Sequence, residues 1–191
     1  MPSPPPPLWL LSDPARLPDP TAAARRLPRG AAVLLRDPAP EVAPRLARLC
    51  RQRGLSLLVS GDGRLALRLG AGLHIPDRRP TRGLLPFLLA RCGQGTGGGR
   101  LISVAVHGRA GIARARRLRA DAALVSPAFP TASHPGTPGL GPLRWAALAR
   151  CLPCPAIALG GMDARKARRL PPRRCAGWAS ISALCFLRHS V

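Results

Sequence analysis

The sequence predicts a single small (β/α)8 barrel, an α/β fold with parallel strands in the TIM-barrel arrangement. Three observations point there. Short apolar runs recur eight times, with starts about 24 residues apart on average. Several are continuous rather than alternating, as suits parallel strands buried on both faces. The segments between them carry apolar residues at helical spacing. Eight strand–helix units in one chain favour a closed barrel, with an open doubly wound sheet as the alternative.

Taken in order, the predicted strands are Leu8–Leu11, Ala31–Leu35, Leu55–Val59, Gly72–Ile75, Leu101–Val106, Ala122–Val125, Ala156–Leu159 and Gly177–Ile181. Among the helices, Glu41–Arg53 sets Val42, Leu46 and Leu49 on one face with arginines between them. Arg64–Leu69 pairs Leu65 with Leu69 at i, i+4, and Leu84–Cys92 tolerates Pro86 in its first turn. Ile112–Arg119, Leu143–Cys151 and Ala164–Leu170 follow, the last with Asp163 as its N-cap. The expected organisation is a disordered proline-rich stretch over 1–7, the barrel over 8–185 and a tail over 186–191.

Composition narrows the function. With 46% apolar residues the 191-residue chain can build a core despite 24 prolines and 20 glycines. Thirty basic residues against eight acidic ones give a net charge of +22, and Lys166 is the one lysine. Such a field suits a polyanion, and a basic nucleic-acid-binding protein is the alternative of a different class. Two features weigh against it: the arginines are spread over nearly every helix, and the scarcity of aromatic residues leaves little to stack on bases. A smaller anion such as a phosphate ester fits as well.

Six cysteines show no framework spacing, and Cys151-Leu-Pro-Cys154 lacks the second pair or histidine cluster that a metal site needs. No signal peptide or membrane span is apparent, so a cytoplasmic protein is expected, with room for a homo-oligomer.

In such barrels, ligands bind beyond the carboxyl ends of the strands. Arg36-Asp37, Ser60-Gly61-Asp62, His107 and the long segment Val125–Gly141 all fall there. A connection of that length inside a compact domain marks a functional loop or a spacer. Its His134 is a candidate acid, base or anion partner, as is His107 at the end of strand 5, whereas His74 within strand 4 reads as a packed or hydrogen-bonded residue. Gly160-Gly161 lets the backbone turn and offers its N–H groups to an anion, together with Ser180-Ile181-Ser182 after strand 8.

These residues carry a resemblance. Asp121–Thr131 (DAALVSPAFPT), Pro155–Met162 (PAIALGGM) and Gly177–Ala183 (GWASISA) resemble the thiamine phosphate synthase/TenI family. Leu8–Asp13, Val33–Asp37 and Leu73–Pro76 are similar to its earlier strands. The resemblance implies a (β/α)8 barrel of thiamine biosynthesis or salvage. Synthases of that family join a thiazole phosphate to a pyrimidine methyl diphosphate with Mg²⁺ assisting, while TenI-type members bind thiazole phosphate and some tautomerise it.

Carried over by position, Thr131 and Ser133 match the loop hydroxyls after strand 6, Gly160-Gly161 the strand 7 glycines, and Ile181-Ser182 the strand 8 turn. The diphosphate half departs from the pattern. Leu34 and Pro38 replace a glutamine and a lysine, leaving Arg36; Ser60-Gly61 replaces Asn-Asp; Arg79 stands at a second metal-binding aspartate. Ala105 and His134 replace a serine and a lysine, and the tautomerase histidine falls on Pro127.

The resemblance therefore implies no metal ligand and no certain cofactor. Mg²⁺ enters only with the synthase alternative, through a shifted site at Asp62 or Asp77. The expected partner is a thiazole phosphate or thiamine phosphate. Proton transfer falls to His134 or His107, with Arg36 as a further candidate.

Overall fold

The computed structural model describes residues 4–77, 79–92, 100–131, 136 and 138–184. The parallel strands β1 (Leu8–Leu11), β2 (Ala32–Leu35), β3 (Ser56–Ser60), β4 (Gly72–Ile75), β5 (Ile102–Val106), β6 (Ala122–Val125), β7 (Ala156–Leu159) and β8 (Cys175–Ser180) pair in chain order. β1 also pairs with β8, Leu10 opposite Ser180, and this closes the barrel. That pairing excludes the open sheet and gives the predicted (β/α)8 fold.

Side chains alternate across each strand. Trp9, Leu11, Ala32, Leu34, Leu58, Ala122, Leu124, Ile157 and Ala179 fill the interior. The residues between them, among them Leu10, Val33, Leu35, Leu73, Val104 and Val125, pack outward against the helices. The helices are α1 (Thr21–Ala24), α2 (Val42–Arg53), α3 (Gly63–Leu69), α4 (Leu84–Cys92), α5 (Arg109–Arg117), α6 (Gly141–Arg150) and α7 (Ala164–Ala167). In α2 the spacing of Val42, Leu46 and Cys50 buries one face, and Arg45, Arg48 and Arg51 stay in solvent. The scattered arginines are thus largely the outer faces of amphipathic helices.

Several boundaries differ from the sequence reading, for identifiable reasons. α1 has no long apolar period, and Asp19 holds its first turn by accepting from Thr21 N and Oγ1. α5 starts three residues earlier than expected because Gly111 lies flush on β5, where a Cβ would come within 2.8 Å of Val106 Cα. α7 ends at Ala167 after one turn. β8 runs from Cys175, two residues early, with an irregularity at Ala156/Ile157 in its pairing with β7.

Residues 4–7, expected to be disordered, instead close the base of the barrel. Pro5 and Pro6 are buried, Trp9 Nε1 donates to Pro6 O at 2.6 Å, and Trp178 N donates to Pro7 O at 2.9 Å. A proline run cannot make its own ladder, but its carbonyls still accept, and here they extend the β1–β8 pairing downward.

Candidate functional site

The alternation that buries Leu34, Leu124 and Leu159 inside the barrel brings Arg36, Ser126 and Gly161 to its mouth two residues later. Along β5 the same parity runs Ser103, Ala105, His107. The candidate residues therefore meet at one rim because the strands are short and all end on one side.

The turns after β1 and β2 are tied by side chains, and the turn after β3 meets the segment after β4 through the backbone bonds Gly63 N to Arg82 O and Arg82 N to Gly61 O. The Arg36 backbone N–H donates to Ser12 Oγ at 2.7 Å, and its guanidinium reaches Ser12 O at 2.6 Å and Asp13 Oδ2 at 3.1 Å. Burial pulls Arg36 below its ordinary value, and the Asp13 carboxylate opposes that. Asp37 pairs with Arg79 at 2.5 Å on the surface. The Asp62 carboxylate caps α3 by accepting from Leu65 N at 2.9 Å.

Asp77, just past β4, lies between two partners. Arg114 of α5 donates to Oδ1 at 2.7 Å, and His107 Nδ1 sits 2.9 Å from Oδ2. The Arg114 hydrogen bond holds the Asp77 carboxyl below the usual carboxylate range. On the other edge of the imidazole, Nε2 lies 3.0 Å from Ser126 Oγ. Below them His74 is buried with Nδ1 2.9 Å from Ser103 Oγ. Burial, and then the electrostatic influence of Arg36, Arg114 and His107, push its pKa down to about 3. His74 is therefore a neutral structural residue, as its place within a strand predicts.

The side after β6 to β8 is joined by backbone. Ala128 N donates to Leu159 O and Phe129 N to Gly160 O, so the β6 loop prolongs the β6–β7 pairing. Leu140 N and Gly141 N return to Pro127 O and Ala128 O, and the ends of the loop meet. Gly161 (φ +61°) lies so close that a Cβ would stand 2.3 Å from Pro130 O. At Gly160 (φ +93°) it would be 2.9 Å from Pro127 Cα. These glycines are required by the packing of the two loops as well as by the turn itself.

Lys166 Nζ bonds Gly161 O at 2.8 Å, and Lys166 and Arg169 lie 5.9 and 5.3 Å from the Phe129 ring centroid. α7 is a single turn capped by Asp163, which accepts from Lys166 N at 2.8 Å, so a carboxylate already serves that N-terminus. After β8, Ala183 N donates to Ser180 Oγ at 3.0 Å, with Ile181 half-buried and Ser182 exposed. Thr131 is half-buried at the far end of the β6 strand extension. Ser133, His134 and Arg78 lie outside the described residues.

The rim carboxylates are engaged within the protein. Asp37 and Asp77 are already paired with cations and Asp62 caps a helix, and no group of three potential metal ligands occurs among the described residues. The Cys151/Cys154 pair lies far from this face, ahead of β7, and burial pushes the Cys154 thiol up to about 11. No helix among the described residues is long and apolar enough to cross a membrane.

Comparison with known proteins fits this geometry. A family model described as thiamine monophosphate synthase (TMP-TENI) matches residues 31–184. The chain belongs to that family. A relative from Geobacter sulfurreducens, provisionally named a thiamine-phosphate synthase, is 33% identical over 147 residues, 75% of this chain. The chain spans 64% of that relative's length. A thiamine phosphate pyrophosphorylase from Pyrococcus furiosus superposes with a TM-score of 0.73 at 20% identity, covering 96% of this chain and 89% of its own. FabK from Thermotoga maritima (TM-score 0.67, 16% identity, 93% and 58% coverage) is similar in fold alone. So is a 2-keto-3-deoxy-6-phosphogluconate aldolase from Zymomonas mobilis (0.59, 14%, 91% and 80%).

Within the TMP-TENI barrel, sequence reasoning placed Arg36, His107 and the β7 and β8 turns on the same rim. It missed the partnership of Asp77, Arg114 and Ser126 with His107. Strand parity would have flagged Ser126, two residues past Leu124. The pairing with Asp77 and Arg114 depends on the lateral position of α5, which no local pattern encodes.

Proposed function

We propose that this TMP-TENI protein works in thiamine biosynthesis or salvage as a TenI-like binder of a thiazole phosphate, with His107 as its proton-transfer group. The observation that carries this reading is the commitment of the rim carboxylates Asp37, Asp62 and Asp77 to protein partners. A synthase would need such groups to hold Mg²⁺ against the diphosphate. The Gly160-Gly161 turn after β7 and the Ile181-Ser182 turn after β8, which the family resemblance assigns to the phosphate, lie at the mouth.

The residues divide the work as follows. The turns around Gly160-Gly161 and Ile181-Ser182, with Thr131 and Ser133 of the β6 loop, receive the phosphate ester. The positive mouth, through Arg36 and Arg114, adds long-range attraction for it. Asp77 can only accept, so it fixes the proton of neutral His107 on Nδ1 and leaves Nε2 as the base. A proton taken from the ring substituent at one position and returned at another completes a tautomerisation. His134 is the second candidate for the same step.

A divergent synthase is the second reading, supported by the names that the Geobacter and Pyrococcus proteins carry. One experiment separates them. The protein is incubated with thiazole phosphate, pyrimidine methyl diphosphate and Mg²⁺, and thiamine phosphate is measured beside calorimetric binding of thiazole phosphate. The TenI-like reading expects binding without condensation. Sustained formation of thiamine phosphate overturns it.

A further inference from the structure

We propose that Asp77, His107 and Ser126 form a nucleophilic triad, with Ser126 Oγ as the attacking atom on a carboxylic ester. The spacing has the required sense: carboxylate to Nδ1 at 2.9 Å, then Nε2 to the serine hydroxyl at 3.0 Å. Because a carboxylate only accepts, Nδ1 carries the ring proton and Nε2 accepts from Ser126 Oγ–H. Arg114 holds the opposite carboxylate oxygen at 2.7 Å and Pro76 O at 3.1 Å, so the orienting member is itself fixed.

The three residues come from the ends of β4, β5 and β6, at the mouth where this fold places its chemistry. His107 is half-exposed and Ser126 partly so, which leaves the hydroxyl open to a ligand.

The step balances without any group beyond water. Ser126 Oγ bonds to the carbonyl carbon as its proton passes to His107 Nε2, and the carbonyl π pair moves onto oxygen. That pair returns, the ester C–O bond breaks, and the departing alkoxide takes the proton from Nε2. Water, deprotonated by the same nitrogen, then attacks the acyl-serine, releasing the acid and restoring Ser126.

This activity is independent of which phosphate ester the barrel binds, and so is its test. The whole protein is treated with diisopropyl fluorophosphate and mapped by mass spectrometry, and p-nitrophenyl acetate hydrolysis is followed in parallel. The expected result is a single diisopropylphosphorylated peptide carrying Ser126, with fluoride as the leaving group. Labelling and hydrolysis should be lost in Ser126→Ala, fall at least 100-fold in His107→Gln and fall at least 10-fold in Asp77→Asn. Ser126→Cys, which retains a nucleophile, should keep native circular dichroism and gain rapid alkylation by iodoacetamide at that position. An unlabelled wild-type protein, or label spread over several serines at similar rates, overturns the proposal whatever the outcome with thiazole phosphate.

Discussion

Across the barrel mouth, the turns after β1 and β2 are tied together chiefly by side chains, whereas those after β6 and β7 are fastened backbone to backbone. On the first side Arg36 meets Asp13 and Arg79 meets Asp37. On the second, Ala128 and Phe129 donate to the carbonyls of Leu159 and Gly160, with no room for a Cβ at Gly161. A side-chain fastening can be exchanged one residue at a time, and each exchange changes which ligand is welcome. A backbone fastening tolerates little except glycine.

The largest expected effect is on the backbone-joined side. Gly161→Ala introduces a side chain at φ +61° and 2.3 Å from Pro130 O. It should cost about 3 kcal/mol in urea denaturation, from left-handed strain plus overpacking. Gly70→Ala, also left-handed at φ +64° but with open space around it, should cost about 1 kcal/mol. Equal losses at the two positions would remove the argument that the loops lock together.

On the other side, Asp77→Asn leaves Arg114 without its anion and His107 without an orienting acceptor. Destabilisation of about 2 kcal/mol is expected, discounted from the cost of breaking a fully buried pair because these groups are part-exposed. Any proton transfer through His107 should fall with it, measured by exchange of ligand protons in NMR.

His74 gives a pH signature between the two halves. It stays neutral in the folded barrel down to about pH 3, while the unfolded chain takes up the proton near 6.5. The unfolded state therefore binds more protons below that value, and stability should fall as pH drops from 6.5, by up to about 1.4 kcal/mol per pH unit. His74→Asn, which keeps a partner for Ser103, should flatten the slope between pH 6.5 and 4.5. An unchanged slope would place the acid sensitivity elsewhere.

The smallest effect belongs to the surface pair. Arg79→Ala should change stability by about 0.5 kcal/mol or less, since Arg79 and Asp37 are both exposed.

Most of the fold was legible because parallel strands buried on both faces leave continuous apolar runs. β1, β4, β6 and β7 have the bounds that the sequence predicts. α1 was not legible, since a single turn held by Asp19 has no period to detect. Within the site, the strand-end residues could be placed by counting, as with Arg36 and His107. The double duty of Gly160-Gly161 could not, because it depends on where a different loop crosses them. Nor could the triad, whose members are 30 and 19 residues apart and meet only once the sheet closes.

The prolines beneath Trp9 have a practical consequence. Since Pro6 and Pro7 dock at the base, opposite the mouth, a tether attached ahead of Pro4 would hold the molecule with its reactive rim facing outward. Immobilisation through the N-terminus is thus the orientation of choice for a biosensor surface or a flow reactor.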